Sequence, residues 1–347
     1  AVERGTRTLE GRPGDDYWTD RARYHLDATL DPVTARLEGR VEIVYHNRSP
    51  VALDAVVLHL HQNLHAPGVV RNEPQQVTGG VELGEVRVDG MLVRSFDEPG
   101  MGRAPPPPPF HIVDGTLMLL PLGRELASGD SVRLEIDFGQ TLPQSGAGRM
   151  GWSRREMYFV GYWYPRLAVH DDLRGWDAEP YRGTAEFYDG FADYSAELTL
   201  PAGWTVMATG ELANPGEVLS ARTRGRLEQA LESDSVVTIA SPEEMAAGGV
   251  TAEGTPPEQA SAKSVLARST LEGPVLTWRF EAEQVRDFTF TASKVQQWDA
   301  TSARVADRDG DGREDRVAIH AFHRPDLAPV WAEQRAARFT KHAIEFH

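Results

Sequence analysis

The 347-residue sequence contains no cysteine. That absence removes disulfide frameworks, Cys-ligated zinc, iron–sulfur clusters and cysteine nucleophiles together, while leaving the compartment open, since a chain without thiols suits oxidising and reducing surroundings alike. Positive charge is scarce too: 36 Lys and Arg stand against 52 Asp and Glu, for a formal net charge of -16. A phosphate backbone demands a basic surface, so nucleic acid is excluded as an expected partner. Only three of those cations are lysines, Lys263, Lys294 and Lys341, a compositional bias rather than a recognition device. No run reaches the ~18 apolar residues of a membrane-spanning helix, and no signal peptide is present. The chain begins at Ala1 rather than Met, which implies removal of something upstream. No histidine is followed by Glu, so H-E-x-x-H is missing, as are a G-x-S-x-G elbow, a Walker loop and a dinucleotide fingerprint.

What is present is the material of a large β protein. With 40% hydrophobic residues the chain can build a substantial core and more than one domain. Residues 1–20, with Gly5, Gly11, Pro13 and Gly14 among charges, read as a flexible arm. From Tyr24 to Leu30 apolar and polar residues alternate, and the same period of two recurs with Val41, Ile43 and Tyr45, and with Val132, Leu134, Ile136 and Phe138. That is the pattern of antiparallel strands with one wet face. Asp89-Gly90 marks a hairpin turn. Pro105 to Pro109 predict a polyproline stretch, serving as a stiff surface loop rather than an SH3-type ligand. Residues 221–275, rich in Ser, Ala and Glu, read mostly as a surface excursion. Ala328 to Phe346 carry the first long helical spacing, with Val330, Trp331, Ala337, Phe339 and Ile344.

The sharpest local motif is Asp307-Arg308-Asp309-Gly310-Asp311-Gly312-Arg313-Glu314-Asp315. Oxygen ligands at the first, third and fifth positions converge on a hard cation when a glycine follows, so Asp307, Asp309 and Asp311, the Arg313 carbonyl and Asp315 form a candidate structural calcium site. Ala318 stands where an EF-hand carries its bidentate Glu. The competing reading is a solvated acidic hairpin tip. His59, His61 and His65, spaced H-x-H-x-x-x-H, would suit a transition metal if they shared a strand face, yet no acidic ligand follows them; imidazoles on the wet face of a strand are the simpler reading. His320 and His323 fall on opposite faces of an expected strand and cannot chelate together.

Gly161-Tyr162-Trp163-Tyr164-Pro165-Arg166-Leu167-Ala168-Val169-His170-Asp171-Asp172, followed by Gly175-Trp176, Ala185-Glu186-Phe187-Tyr188 and Ala208-Thr209-Gly210-Glu211-Leu212, resembles the amino-terminal domain of zinc-dependent aminopeptidases. These are the aminopeptidase N and leukotriene hydrolase family, and the likeness is to its bacterial branch. Val285-Arg286-Asp287-Phe288-Thr289-Phe290 resembles the strand closing that domain, and Val317 to Pro325 with the following helix resemble the start of the catalytic domain. The resemblance implies a mainly β fold: a saddle-like antiparallel β-sandwich over residues 21–300, then the first strand and helix of an incomplete α-rich metallopeptidase domain over 301–347. It implies a non-catalytic part shaping a cavity for peptide amino termini in a secreted or periplasmic protein. The remainder of the catalytic domain would be its partner. The zinc ligands and the G-x-M-E-N-like strand of the full-length enzyme are not among these residues, so no activity is expected from this chain alone. By spacing, Glu156 would lend its side chain to the amino-terminus pocket, with Tyr162 where relatives often carry Gln. Two other readings stay open at this point. One is a free-standing, calcium-stabilised binding module; the other is a hydrolase built on His59, His61 and His65.

Overall fold

The computed structural model describes residues 1–96, 107–257, 271–307, 310–326 and 329–346. The first half is a succession of strands: β1 (Arg21–Asp31), β2 (Arg36–His46), β3 (Leu53–His59), β4 (Glu82–Val88), β5 (Met91–Ser95), β6 (Phe110–Asp114), β7 (Leu117–Leu126) and β8 (Ser131–Thr141). Short strands follow: β9 (Ser145–Gly146), β10 (Met150–Ser153), β11 (Met157–Val160), β12 (Arg166–Leu167), β13 (His170–Asp171) and β14 (Gly175–Trp176). Then come β15 (Ala192–Pro201), β16 (Thr205–Ala208), β17 (Glu211–Leu212), α1 (Pro215–Val218), α2 (Ala221–Glu232), β18 (Val237–Ala240) and α3 (Pro242–Ala246). The last elements are β19 (Val275–Val285), β20 (Phe290–Ser293), β21 (Gln297–Val305), β22 (Asp315–His323) and α4 (Arg335–Phe346).

Among the described residues a 12-stranded sheet runs β12-β3-β7-β6-β5-β4-β8-β2-β1-β15-β19-β17, and a 5-stranded sheet runs β16-β20-β11-β10-β9. Tyr158 and Val160 of the small sheet, Val206 and Phe290 share one core with Leu26, Val41 and Leu134 of the large one, so the two pack as a sandwich. The alternation dictates this. Tyr24, Leu26, Ala28 and Leu30 are all buried, as are Val132, Leu134, Ile136 and Phe138, each large apolar side chain contributing about 1.5–3 kcal/mol. The sheet is mixed rather than purely antiparallel: β1 lies parallel to β15, and β5 parallel to β6. At the β4–β5 hairpin Asp89 and Gly90 take φ of 48° and 80°, the pair of left-handed conformations that a two-residue turn between twisted strands needs. Gly210, at φ +88°, leaves no room for a side chain, because a Cβ there would stand 2.1 Å from the Glu281 carbonyl oxygen.

Several expectations are corrected. Residues 1–20 are not a free arm: Thr6 donates to Asp172 at 2.8 Å and Arg7 forks the same carboxylate. Residues 221–257, expected to be mostly a surface excursion, carry α2, β18 and α3 and bury Ala230, Ile239, Ala240, Met245 and Val250 in the core. Ser220 caps α2, and a capping box of Ser241 with Glu244 starts α3. Only Thr223 and Ala230 of α2 are buried, so its apolar face is too thin to give a visible period. Residues 258–270 of that stretch, and Pro105 and Pro106 of the proline run, lie outside the described residues. The C-terminal helix starts at Arg335, because Glu333 and Gln334 have positive φ and end the one-turn helix Pro329–Trp331.

The boundary expected at residues 300 and 301 falls inside a single strand. β21 pairs with β18 and β22 in a three-stranded sheet. Its Trp298 and Ala300 belong to the large core, while Ala303 joins Ile319 and Ala337 of α4 in a small separate one.

Candidate functional site

The segment from Gly161 to Tyr194 concentrates the polar chemistry of the molecule around one residue. Arg166 opens β12, pairs with His59 of β3, and is 98% buried by the fold, being only 2% exposed. Its Nη1 lies 3.0 Å from Asp287 Oδ1, and its Nη2 donates to the Arg286 carbonyl at 2.6 Å and reaches Asp189 Oδ1 at 3.1 Å. Tyr164 Oη lies 2.9 Å from Asp287 Oδ1 and 3.1 Å from Tyr194 Oη, and accepts the Phe288 amide at 3.3 Å. Trp163 Nε1 donates to the Phe288 carbonyl at 3.0 Å, and Leu167 N donates to Tyr24 Oη at 3.1 Å.

Electrostatics here follow from burial. Desolvation works against the Arg166 charge, but the surrounding tyrosines and the Asp287 and Asp189 carboxylates more than offset it, and its pKa rises. Desolvation also pushes Asp189 up to about 6, even with Arg166 beside it. Burial outweighs the attraction of the guanidinium, which Asp189 shares with Asp287. Burial raises Tyr24 to about 12 and Tyr164 well above its ordinary value, so both stay protonated. This cluster is a lock between segments. Its groups are spent mainly on one another, with Arg166 Nε left buried and without a hydrogen-bond partner among the described residues.

The histidines sit differently from expectation. His59 ends β3, His61 begins a one-turn helix His61–His65, and all three of His59, His61 and His65 are buried rather than on a wet face. The His59 and His61 rings stack at 4.9 Å, and His61 meets Tyr162, Tyr181 and Phe187 edge-on. Desolvation lowers His59 to about 4 and His61 well below its ordinary value. His65 turns to the Gln76 carbonyl at 2.7 Å. Among the described residues no three His, Asp or Glu converge as a metal would require. Tyr162, at φ +52°, stacks on Phe187 at 3.6 Å while its carbonyl accepts from Gln62 Nε2 at 3.0 Å. A bulky residue in that conformation is held by its surroundings.

Glu156 occupies the β10–β11 turn, where Arg154 and Arg155 both have positive φ, and its carboxylate lies 3.8 Å from Arg324 beyond β22. Arg324 also forks Asp326. Glu156 thus touches the C-terminal segment rather than the Arg166 cluster. In the acidic loop Asp307 accepts the Gly310 and Gly312 amides at 2.7 and 2.8 Å, and Asp311 accepts the Arg313 amide at 2.8 Å. Asp309 lies outside the described residues, and Asp315 starts β22 opposite Val305.

A cavity of about 610 Å³ opens beside the Arg166 cluster, at the end of the sheet where β1 and β15 begin. Residues 17–22, 166–172 and 188–194 form most of its wall. His170 is oriented there by Asp20, 3.2 Å from its Nδ1, with its ring between Trp18 at 5.1 Å and Trp176 at 5.0 Å. Sequence reasoning passed over Asp20, His170 and Asp189. The available signal was Arg166 itself, a charge immediately behind the apolar Trp163-Tyr164-Pro165.

No protein-family model matches the chain, and no curated protein matches it. Among solved structures, an M1 zinc metallopeptidase from Deinococcus radiodurans is 12% identical, with 89% of this chain and 49% of that chain covered and a TM-score of 0.42. A mutant of the Deinococcus radiodurans M1 zinc metallopeptidase bound to a Tyr-Ser-Ala substrate is 13% identical, with 95% of this chain and 54% of that one covered and a TM-score of 0.43. A two-domain M1 zinc metallopeptidase mutant bound to L-tryptophan gives 13%, 95% and 54%, with a TM-score of 0.44. The chain spans about half the length of the solved structures it matches.

Proposed function

We propose that this chain is the amino-terminal, non-catalytic β portion of a secreted or periplasmic bacterial zinc aminopeptidase, shaping the cavity that admits peptide amino termini. The observation that supports the reading is the bonding between the two segments on which the sequence resemblance rests. Trp163, Tyr164 and Arg166 of the first segment bond directly to Arg286, Asp287 and Phe288 of the second. Residue types that look like a family signature therefore have a shared physical task, which is to fasten the 161–172 segment to the strand end at 285–290. A buried arginine with two carboxylates and a tyrosine hydroxyl performs that task through a geometry that lysine could not reproduce.

In this reading Glu156 contributes a carboxylate to a substrate ammonium group, the acidic loop from Asp307 to Asp315 holds a structural calcium ion, and the zinc is bound by residues encoded beyond His347. The H-E-x-x-H pair is not in this sequence, so no chemical step is assigned to its residues. The decisive experiment is expression of the reading frame continued past residue 347, assayed for zinc content and for release of amino-terminal residues from peptides. One zinc per chain with activity supports the proposal, and Glu156→Gln should then raise KM more than it lowers kcat. A continued frame without G-x-M-E-N-like and H-E-x-x-H segments overturns it. Calcium is tested separately: a chelator should lower the melting temperature and added calcium restore it, and an unchanged melting curve removes the ion from the reading.

A further inference from the structure

The cavity beside Arg166 has a composition that the polar lock does not explain. Six carboxylates line it against four guanidiniums. The pairing within the wall is unequal. Arg21 is held by Asp193 at 2.8 Å, and Arg166 by Asp189 and Asp287. Arg286 lies over the Phe191 ring at 4.4 Å and donates to the Asp189 carbonyl, and Arg21, Arg48 and Arg286 are all exposed at the mouth. Among the described residues Asp20 and Asp171 have no arginine side chain on them. Asp20 faces Tyr45 Oη, the Arg48 amide and His170. Asp171 accepts the Leu173 and Arg174 amides and lies 3.2 Å from Tyr188 Oη.

His170 supplies an independent pointer. Its side chain is 6% exposed, and its Nδ1 faces the Asp20 carboxylate at 3.2 Å. A carboxylate at Nδ1 accepts that nitrogen's proton, so in the neutral ring Nε2 is the acceptor. Among the described residues Nε2 has no partner, although the ring lines the cavity. The aromatic walls also accept cations within the protein itself: Arg7 stands over Tyr17 at 5.3 Å, as Arg286 does over Phe191. A ligand suited to this chamber donates N–H to Nε2, carries positive charge toward Asp20 and Asp171, and lays methylene groups along Trp18 and Tyr188. We propose that the cavity is a binding site for an aliphatic di- or polyamine. The proposal is independent of the aminopeptidase reading, because every residue it uses lies in this chain.

The test is calorimetric titration of the 347-residue chain with spermidine at fixed ionic strength. A saturable one-site heat is expected, which sodium or magnesium chloride at equal concentration does not reproduce. Asp171→Asn keeps the acceptor for the two turn amides and removes the charge, and Trp18→Ala removes a wall; each should weaken binding by about tenfold, a change of about 1.4 kcal/mol. Circular dichroism and melting curves establish that both variants are folded, and Glu228→Gln on α2, distant from the cavity, should bind as the parent does. Absence of saturable heat overturns the proposal. So does unchanged affinity in both Asp171→Asn and Trp18→Ala, or saturation by maltotriose with none by spermidine.

Discussion

The two ends of β21 belong to different worlds. Toward Trp298 the strand is part of a core that includes Trp163, Trp278, Phe280 and Phe290, assembled from both sheets of the sandwich. Toward Val305 its Ala303 joins Ile319 of β22 and Ala337 of α4 in a separate core of three buried residues. The first region is held by apolar area and by a sealed polar lock. The second has little apolar area and a surface cluster instead, in which Asp234 meets Arg304 at 3.2 Å, Arg316 at 2.9 Å and Lys341 at 3.9 Å. Outward-facing Phe339 and Phe346 of α4 are 58% and 74% exposed. The lesson is that continuity of a strand does not make stability continuous along it, and the distal end should open first.

The largest blow to this contrast is Arg166→Ala. It strands two largely buried carboxylates and should cost about 3–5 kcal/mol in urea unfolding, at the scale of breaking a buried ion pair. A loss under about 1 kcal/mol would mean that the lock is incidental. Trp298→Ala follows, at about 3–5 kcal/mol for a fully buried indole. Because Trp298 also stacks on Phe322 of β22 at 5.2 Å, its removal should split unfolding into two transitions, with hydrogen exchange accelerated first in β22 and α4. A single transition after that change would erase the distinction between the regions.

Acid comes next. Burial holds His59 near 4 and His320 near 4 in the folded chain, against about 6.5 when unfolded. The unfolded state therefore binds protons that the folded state refuses, and stability present above pH 6.5 is lost as the pH falls toward 4, by about 3 kcal/mol for His59 alone. Asp189, pushed up to about 6, acts in the opposite sense: its carboxyl is ionised at a cost above that pH and takes up a proton in the folded state below it. Unfolding midpoints measured at pH 7 and pH 4.5 should differ in the histidine direction, and equal midpoints would say that the imidazoles are hydrated. The smallest effect is Asp234→Ala. Its carboxylate is 60% exposed, so the melting temperature should move by less than about 2 °C.

What the sequence disclosed was the large region. Period-two alternation at Tyr24 to Leu30 and at Val132 to Phe138 is enforced by a face of the sheet that must be dry, so it survives into the fold without translation. The small region was legible only in part: the helical spacing of Ala328 to Phe346 and the strand expected at Val317 to Pro325 correspond to α4 and β22, while the α2 segment gave no signal. α2 buries only Thr223 and Ala230, and no period emerges from two residues. The lock was half visible. Tyr164, Arg166 and Asp287 stood inside conspicuous segments, yet nothing local says that a tyrosine hydroxyl near residue 164 meets a carboxylate at 287. The histidines misled because spacing along a strand says which way a ring points only while the strand continues, and the backbone leaves β3 after His59. Asp20 and His170 lie 150 residues apart, a separation that only the folded chain closes.

The parallel pairing of β1 with β15 has a consequence during synthesis. Ala22 has Ala192 as its sheet partner, and β1 is an inner strand of the sheet whose second neighbour does not exist until that later segment has been made. At about 5–20 residues per second, the open side of β1 waits on the order of ten to thirty seconds on the ribosome. Throughout that interval the nascent half-sheet offers a long, apolar, unpaired edge to anything nearby. Yield of soluble protein should therefore depend on translation speed and on chaperones that cover strand edges, even though the finished molecule pairs Ala22 to Thr29 of that edge with β15.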